Sequence, residues 1–97
     1  MRIAHVFISG FVQGIGFRQW IKRSAKQTGV TGWVRNLEDG RVEAVFQSSA
    51  SSDQEAEKKI KEMISLCRKG PFLSEVKQVD VEWEDTKENF EVFETIV

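Results

Sequence analysis

Gly10-Phe11-Val12-Gln13-Gly14-Ile15-Gly16-Phe17-Arg18 places three glycines, an apolar lead-in and a terminal arginine in one short stretch. The chemistry open to such a stretch is anion recognition. Glycines let the backbone adopt conformations closed to other residues, so that successive N–H groups turn toward one point. A helix starting near Phe17 would aim its free N-terminal amides and the positive end of its dipole at the same point. Arg18 would add a planar fork of donors matched to phosphate or carboxylate oxygens. The natural guest is a dianionic phosphoryl group. The plainer alternative is a tight turn followed by a solvated arginine. The glycine spacing fits neither the dinucleotide-binding fingerprint nor the P-loop, whose second glycine is followed by Lys and then Ser or Thr.

Stepping along the chain shows which elements must hold this stretch. Ile3 to Val12 alternates, with Ala4, Val6, Ile8, Gly10 and Val12 on one face, as in a strand with one buried side. Phe17, Ile21, Ala25 and Thr28 recur at helical spacing up to a stop at Gly29. Val30 to Leu37 and Arg41 to Gln47 read as two strands joined by the hairpin turn Glu38-Asp39-Gly40, the second burying Val42, Ala44 and Phe46. Ser52 and Glu55 have capping-box spacing for a second helix whose apolar stripe is Ala56, Ile60, Met63, Ile64 and Cys67, ended by Gly70-Pro71. A strand from about Val76 to Trp83 follows. A short terminal strand is expected from Phe90, Val92, Phe93 and Ile96.

The order β-α-β-β-α-β predicts an α+β fold of the ferredoxin-like kind, an antiparallel sheet with two helices on one face. A right-handed crossover makes the first two strands parallel, so their C-terminal ends reach the same edge. The glycine loop and the segment Arg35-Asn36 are therefore expected as neighbours.

Composition narrows the function classes. A chain of 97 residues, 40% hydrophobic, supports a single domain, residues 1–97. A net charge of −1 gives no global field to gather nucleic acid or anionic lipid. One cysteine and one histidine neither form an intrachain disulfide nor assemble an ordinary zinc site. There is no apolar run of membrane-spanning length and no signal-peptide pattern at the N-terminus. The expectation is a cytoplasmic protein with no cofactor and no bound metal, acting on a small molecule, with no nucleic acid, membrane or obligate protein partner.

The glycine stretch closely resembles the acylphosphatase signature Gly-x-Val-Gln-Gly-Val-x-Phe-Arg, matched at Gly10, Val12, Gln13, Gly14, Phe17 and Arg18, with Ile15 in place of the valine. Gly32-Trp33-Val34-Arg35-Asn36 followed by Asp39-Gly40-Arg41-Val42-Glu43 resembles the second signature of that family. The resemblance extends into the fourth strand through Gly70-Pro71 and Val76, Val79 and Val81. It implies the same ferredoxin-like fold and the hydrolysis of acyl phosphates to a carboxylate and inorganic phosphate without a metal. By motif position it implies that the backbone from Gln13 through Gly14, Ile15, Gly16 and Phe17 to Arg18 holds the phosphoryl group. Arg18 and Asn36 would be the catalytic pair, Asn36 orienting the attacking water. The alternative is a non-catalytic anion-binding module that shares the fold.

Other residues carry weaker signals. Phe7, Phe11 and Trp33 share the sheet parity opposite the core and read as cover for the open face, packing with Phe90 and Phe93 or lining the substrate entrance, rather than as a base-stacking platform. His5 reads as a half-exposed strand residue, and Arg35 and Arg41 as solvated strand-end cations. Asp39 reads as a turn residue.

Overall fold

A computed structural model describes all residues, 1–97. Its elements are β1 (Arg2–Phe11), α1 (Phe17–Thr28), β2 (Thr31–Asn36), β3 (Val42–Gln47), α2 (Asp53–Lys69), β4 (Glu75–Asp85) and β5 (Phe93–Thr95). The strands form one sheet in the order β4-β1-β3-β2-β5. The expected α+β ferredoxin-like arrangement is present, with β4–β1, β1–β3 and β3–β2 all paired antiparallel. The fifth strand departs from the antiparallel pattern: β5 runs parallel to β2, pairing Phe93 with Gly32 and Thr95 with Val34.

The alternation read in β1 puts Ala4, Val6, Ile8 and Val12 against the helices, where they join Val34, Val42, Ala44 and Phe46. The helices supply Phe17, Ile21 and Ala25 from α1, and Ile60, Met63, Ile64 and Cys67 from α2. Thr28 lies at the edge of its stripe, and its hydroxyl donates back to the Ser24 carbonyl. The Ser52 hydroxyl accepts from the Glu55 amide at 3.1 Å, and the Gly70 amide closes α2 onto the Leu66 carbonyl. Both ends of α2 thus follow their local chemistry.

Two features correct the sequence expectation. Phe93 does not meet Phe7, Phe11 and Trp33 on the open face; it is buried on the helix face, stacked on Phe46 with ring centroids 5.9 Å apart. Its parallel pairing beside Gly32 gives it the parity of the core. Gly10 is not part of the anion loop. It lies in β1 at a register shift opposite Val76, and a Cβ there would come within 2.1 Å of the Glu75 carbonyl oxygen. It is a β-bulge residue required by the approach of β4.

Burial of Cys67 has a measurable consequence. Desolvation raises its thiol pKa from 9.0 to about 12. The folded protein therefore resists thiol-directed reagents at pH 8, reacting only as fast as it opens. Its folded-state pKa lies above the unfolded one, so the stability it contributes is full below pH 9 and is lost as pH rises through the window up to about 12. Labelling with a chromogenic disulfide, with and without denaturant, and alkaline unfolding midpoints check both statements.

Candidate active site

The loop from Val12 to Gly16 carries the chain from the C-terminal end of β1 into α1. Gly14 and Gly16 both have φ of 78°, and no atom outside their chain neighbours lies within 4 Å of where a Cβ would sit. Backbone conformation, not crowding, calls for glycine here. Gly16 caps α1 without any side-chain hydrogen bond, and the first turn contains no acidic residue. The first amide of the helix to find a carbonyl is that of Trp20, on Gly16 at 3.0 Å. The amides before it point out of the helix end uncompensated, which is the condition for anion binding at a helix N-terminus.

Arg18 sits in that first turn. Its one side-chain hydrogen bond is a long one, Nη1 donating to the Ile96 carbonyl at 3.5 Å. Asn36 arrives from the other side as the last residue of β2, paired with Val42. Its Oδ1 is the one buried side-chain polar atom in the protein that lacks a hydrogen-bond partner. Native structures leave few such groups, because each costs on the order of 1–3 kcal/mol.

Arg18 and Asn36 share a pocket of about 170 Å³ with Val12, Gly14, Gly16, Phe17, Gln19 and Thr95. The right-handed crossover therefore did bring the glycine loop and the end of β2 together. A larger hollow of about 780 Å³ lies on the outer face of α2, but there Lys58 and Lys61 are interspersed with Glu55, Glu57 and Glu62, and no donors converge.

Two of the expected phosphate-binding residues do not line the pocket with their side chains. Ile15 packs against the core. Gln13 turns toward the β2–β3 hairpin, where its amide nitrogen donates to the carbonyls of Leu37 and Arg41, each at 2.8 Å. The hairpin is itself pinned by Asp39, which accepts from the Arg41 amide at 3.1 Å and from Arg41 Nε at 2.8 Å. The Arg41 amide, joined by the guanidinium, holds the Asp39 carboxyl below its usual range. Asp39 is a turn residue, as its Asp-Gly context indicated.

A family model described as Acylphosphatase matches residues 4–95. The chain belongs to the acylphosphatase family. It is 51% identical over 84 residues to an acylphosphatase of Roseiflexus sp. (strain RS-1), covering 87% of this chain and 83% of that one. It is 46% identical over 93 residues to an acylphosphatase of Syntrophobacter fumaroxidans, covering 96% and 89%. The crystal structure of acylphosphatase from Bacillus subtilis superposes with a TM-score of 0.89 at 26% identity, covering all of both chains. The protein is an enzyme that hydrolyses the carboxyl-phosphate bond of acyl phosphates.

Against that activity, the sequence reading missed Thr95 and Gln19 as pocket-lining residues. No local signal marks Thr95, which enters the site only because β5 pairs in parallel with β2. Gln13, which does not line the pocket, ties the glycine loop to the β2–β3 hairpin. Gln13→Ala removes both bonds joining the loop to the hairpin, so kcat/KM is expected to fall by about tenfold to a hundredfold through misplacement of the loop relative to Asn36. Stability is expected to fall by about 1–3 kcal/mol. Steady-state kinetics and a denaturation curve on the same variant check both.

Proposed function

We propose that the hydrolysis runs in this pocket, with the backbone amides from Gln13 to Arg18 and the Arg18 guanidinium holding the phosphoryl oxygens and Asn36 orienting the attacking water. The single observation that carries this reading is the buried, unpartnered Oδ1 of Asn36, a residue that lines the pocket opposite an uncapped helix end. An amide oxygen with no protein donor is free to accept from water.

The water oxygen attacks phosphorus, the bond from phosphorus to the acyl oxygen breaks, and a carboxylate leaves. A carboxylate is a good leaving group, so a loose transition state asks for alignment and charge stabilisation more than for a strong nucleophile. Arg18 is the one ionisable side chain among the residues lining the pocket. The proton of the attacking water therefore passes to a phosphoryl oxygen of the substrate itself. Asn36 stays neutral and acts by position.

The 97 residues are read as one domain working in the cytoplasm on a small-molecule acyl phosphate, with no nucleic acid, membrane or obligate protein partner. The near-zero net charge and a single cysteine, which leaves no intrachain disulfide, support that reading.

The test is a titration with inorganic phosphate followed by amide nitrogen and proton shifts. The expected result is perturbation centred on Gly14 to Gln19, with hydrolysis of a simple acyl phosphate by the same sample in chelator. Phosphate-induced shifts centred elsewhere, in a sample that still turns over, would move the site.

A further inference from the structure

The open face of the sheet, away from both helices, holds a side-chain cluster that the hydrolysis does not use. The pairing of β1 with β4 sets His5 opposite Glu82 and Ile3 opposite Glu84. One imidazole nitrogen of His5 and one carboxylate oxygen from each of Glu82 and Glu84 lie within 4.8 Å of one another. His5 is the chain's single histidine.

The far side of the ring shows how the imidazole is set. Nε2 lies 2.5 Å from Glu43 Oε2, and the Glu43 side chain is only 7% exposed. The other oxygen of Glu43 accepts from Arg35 Nε at 2.5 Å. An ionised carboxylate can only accept, so Nε2–H donates to Glu43, which fixes the ring with Nδ1 turned to Glu84; a metal ion would take the place of the proton that Nδ1 shares with Glu84. A buried carboxylate behind a histidine, turning its second nitrogen outward, is the arrangement that orients metal-ligating imidazoles. The rings of Phe7, at 4.7 Å, and Trp33, at 6.3 Å, flank the imidazole.

Nδ1 lies 3.3 Å from Glu84 Oε2. That is long for a charge-assisted hydrogen bond. It matches the edge between two ligands of a tetrahedral zinc ion, roughly 3.3–3.4 Å when metal–ligand distances are about 2.0–2.1 Å.

We infer that His5 Nδ1, Glu82 and Glu84 form a binding site for a divalent transition metal of the zinc class, with a fourth position left to water. One imidazole and two carboxylates suit zinc and its neighbours, whereas magnesium and calcium favour all-oxygen sets. The two glutamates neutralise the dication, and Glu43 is already balanced by Arg35. The count of cysteines and histidines concealed the site, because two of its three ligands are carboxylates brought in by strand pairing. His5 lies seven residues along β1 from Val12, about 23 Å at the rise of an extended strand. The metal would tie the edge strand β4 to β1 and take no part in the hydrolysis.

The experiment is a calorimetric titration of chelator-stripped full-length protein with Zn²⁺, with thermal unfolding measured in parallel and Mg²⁺ as control. The expected result is a single site, a rise in Tm with Zn²⁺ and none with Mg²⁺. Glu82→Gln/Glu84→Gln, whose changes are both at exposed positions, is expected to weaken binding by at least about tenfold, as is His5→Gln. Zn²⁺ binding is expected to shift the His5 ring resonances and to survive Asn36→Ala, which separates this site from the pocket. No binding at millimolar Zn²⁺, or binding unchanged in the folded double glutamine variant, overturns the inference.

Discussion

Asn36→Ala is expected to lower kcat by about 10²–10³-fold, the loss typical of removing one positioning hydrogen-bonding group from an active site, while Tm stays level or rises. The two halves of that result have one cause. Oδ1 of Asn36 is buried without a partner, so the folded protein carries its desolvation cost and receives no protein hydrogen bond in return. Alanine removes the cost together with the proposed water-orienting oxygen. KM should change little, because the proposed assignment gives the phosphoryl group to the loop amides and Arg18 on the other wall. Kinetics with an acyl phosphate and a thermal melt on the same variant give the answer. A variant with native turnover removes Asn36 from the mechanism, and one several degrees less stable shows that the amide was serving the fold.

Gln13 makes the contrast clear. Two carboxamides, one in the loop after β1 and one at the end of β2, are used in opposite ways. Gln13 donates to both carbonyls across the hairpin and is fixed; Asn36 has its oxygen left over. Residue type alone does not distinguish them. The distinction depends on which carbonyls the hairpin presents, and that follows from the turn that Asp39 and Gly40 impose.

Much of the site was legible because its signals are local. Gly14 and Gly16 announce a backbone with positive φ, Gly29 and Gly70 end helices, and Ser52 begins one. The meeting of the loop with Asn36 is not local, but the handedness of the crossover supplies it from the order of elements alone. What stayed hidden depends on pairing between distant strands. Glu43 lies on the parity opposite Val42, Ala44 and Phe46, yet it is buried because β3 lies between β1 and β2, where His5 and Arg35 close over it. Burial opposes its charge, yet the hydrogen bonds from His5 and Arg35 prevail and its pKa falls. Gly10 looked like a member of the anion loop because a bulge glycine and a loop glycine are the same letter. Thr95 carried no signal, since its place follows from a short parallel pairing that no periodicity reports.

Arg18→Ala is expected to reduce kcat/KM by about 10³-fold or more, or about 4 kcal/mol of transition-state stabilisation, with KM raised and kcat lowered together. Its position explains why both parameters move. A cation in the first turn of a helix faces the positive end of the helix dipole, an unfavourable place unless an anion comes to meet it. No acidic residue stands in that turn, and the nearest protein partner of the guanidinium is the Ile96 carbonyl at 3.5 Å. The enzyme without substrate therefore holds Arg18, the free amides and the dipole in mutual repulsion, which, on the proposed assignment, a phosphoryl dianion would relieve at binding and relieve further as charge spreads onto its oxygens in the transition state. It follows that Arg18→Ala does not destabilise the free enzyme, whereas the rise in Tm that inorganic phosphate gives the native protein is largely lost in the variant. Arg18→Lys keeps the charge without the planar fork and should recover binding more than turnover. A native phosphate response in Arg18→Ala would mean that the backbone amides alone hold the anion, and would confine the arginine to the chemical step.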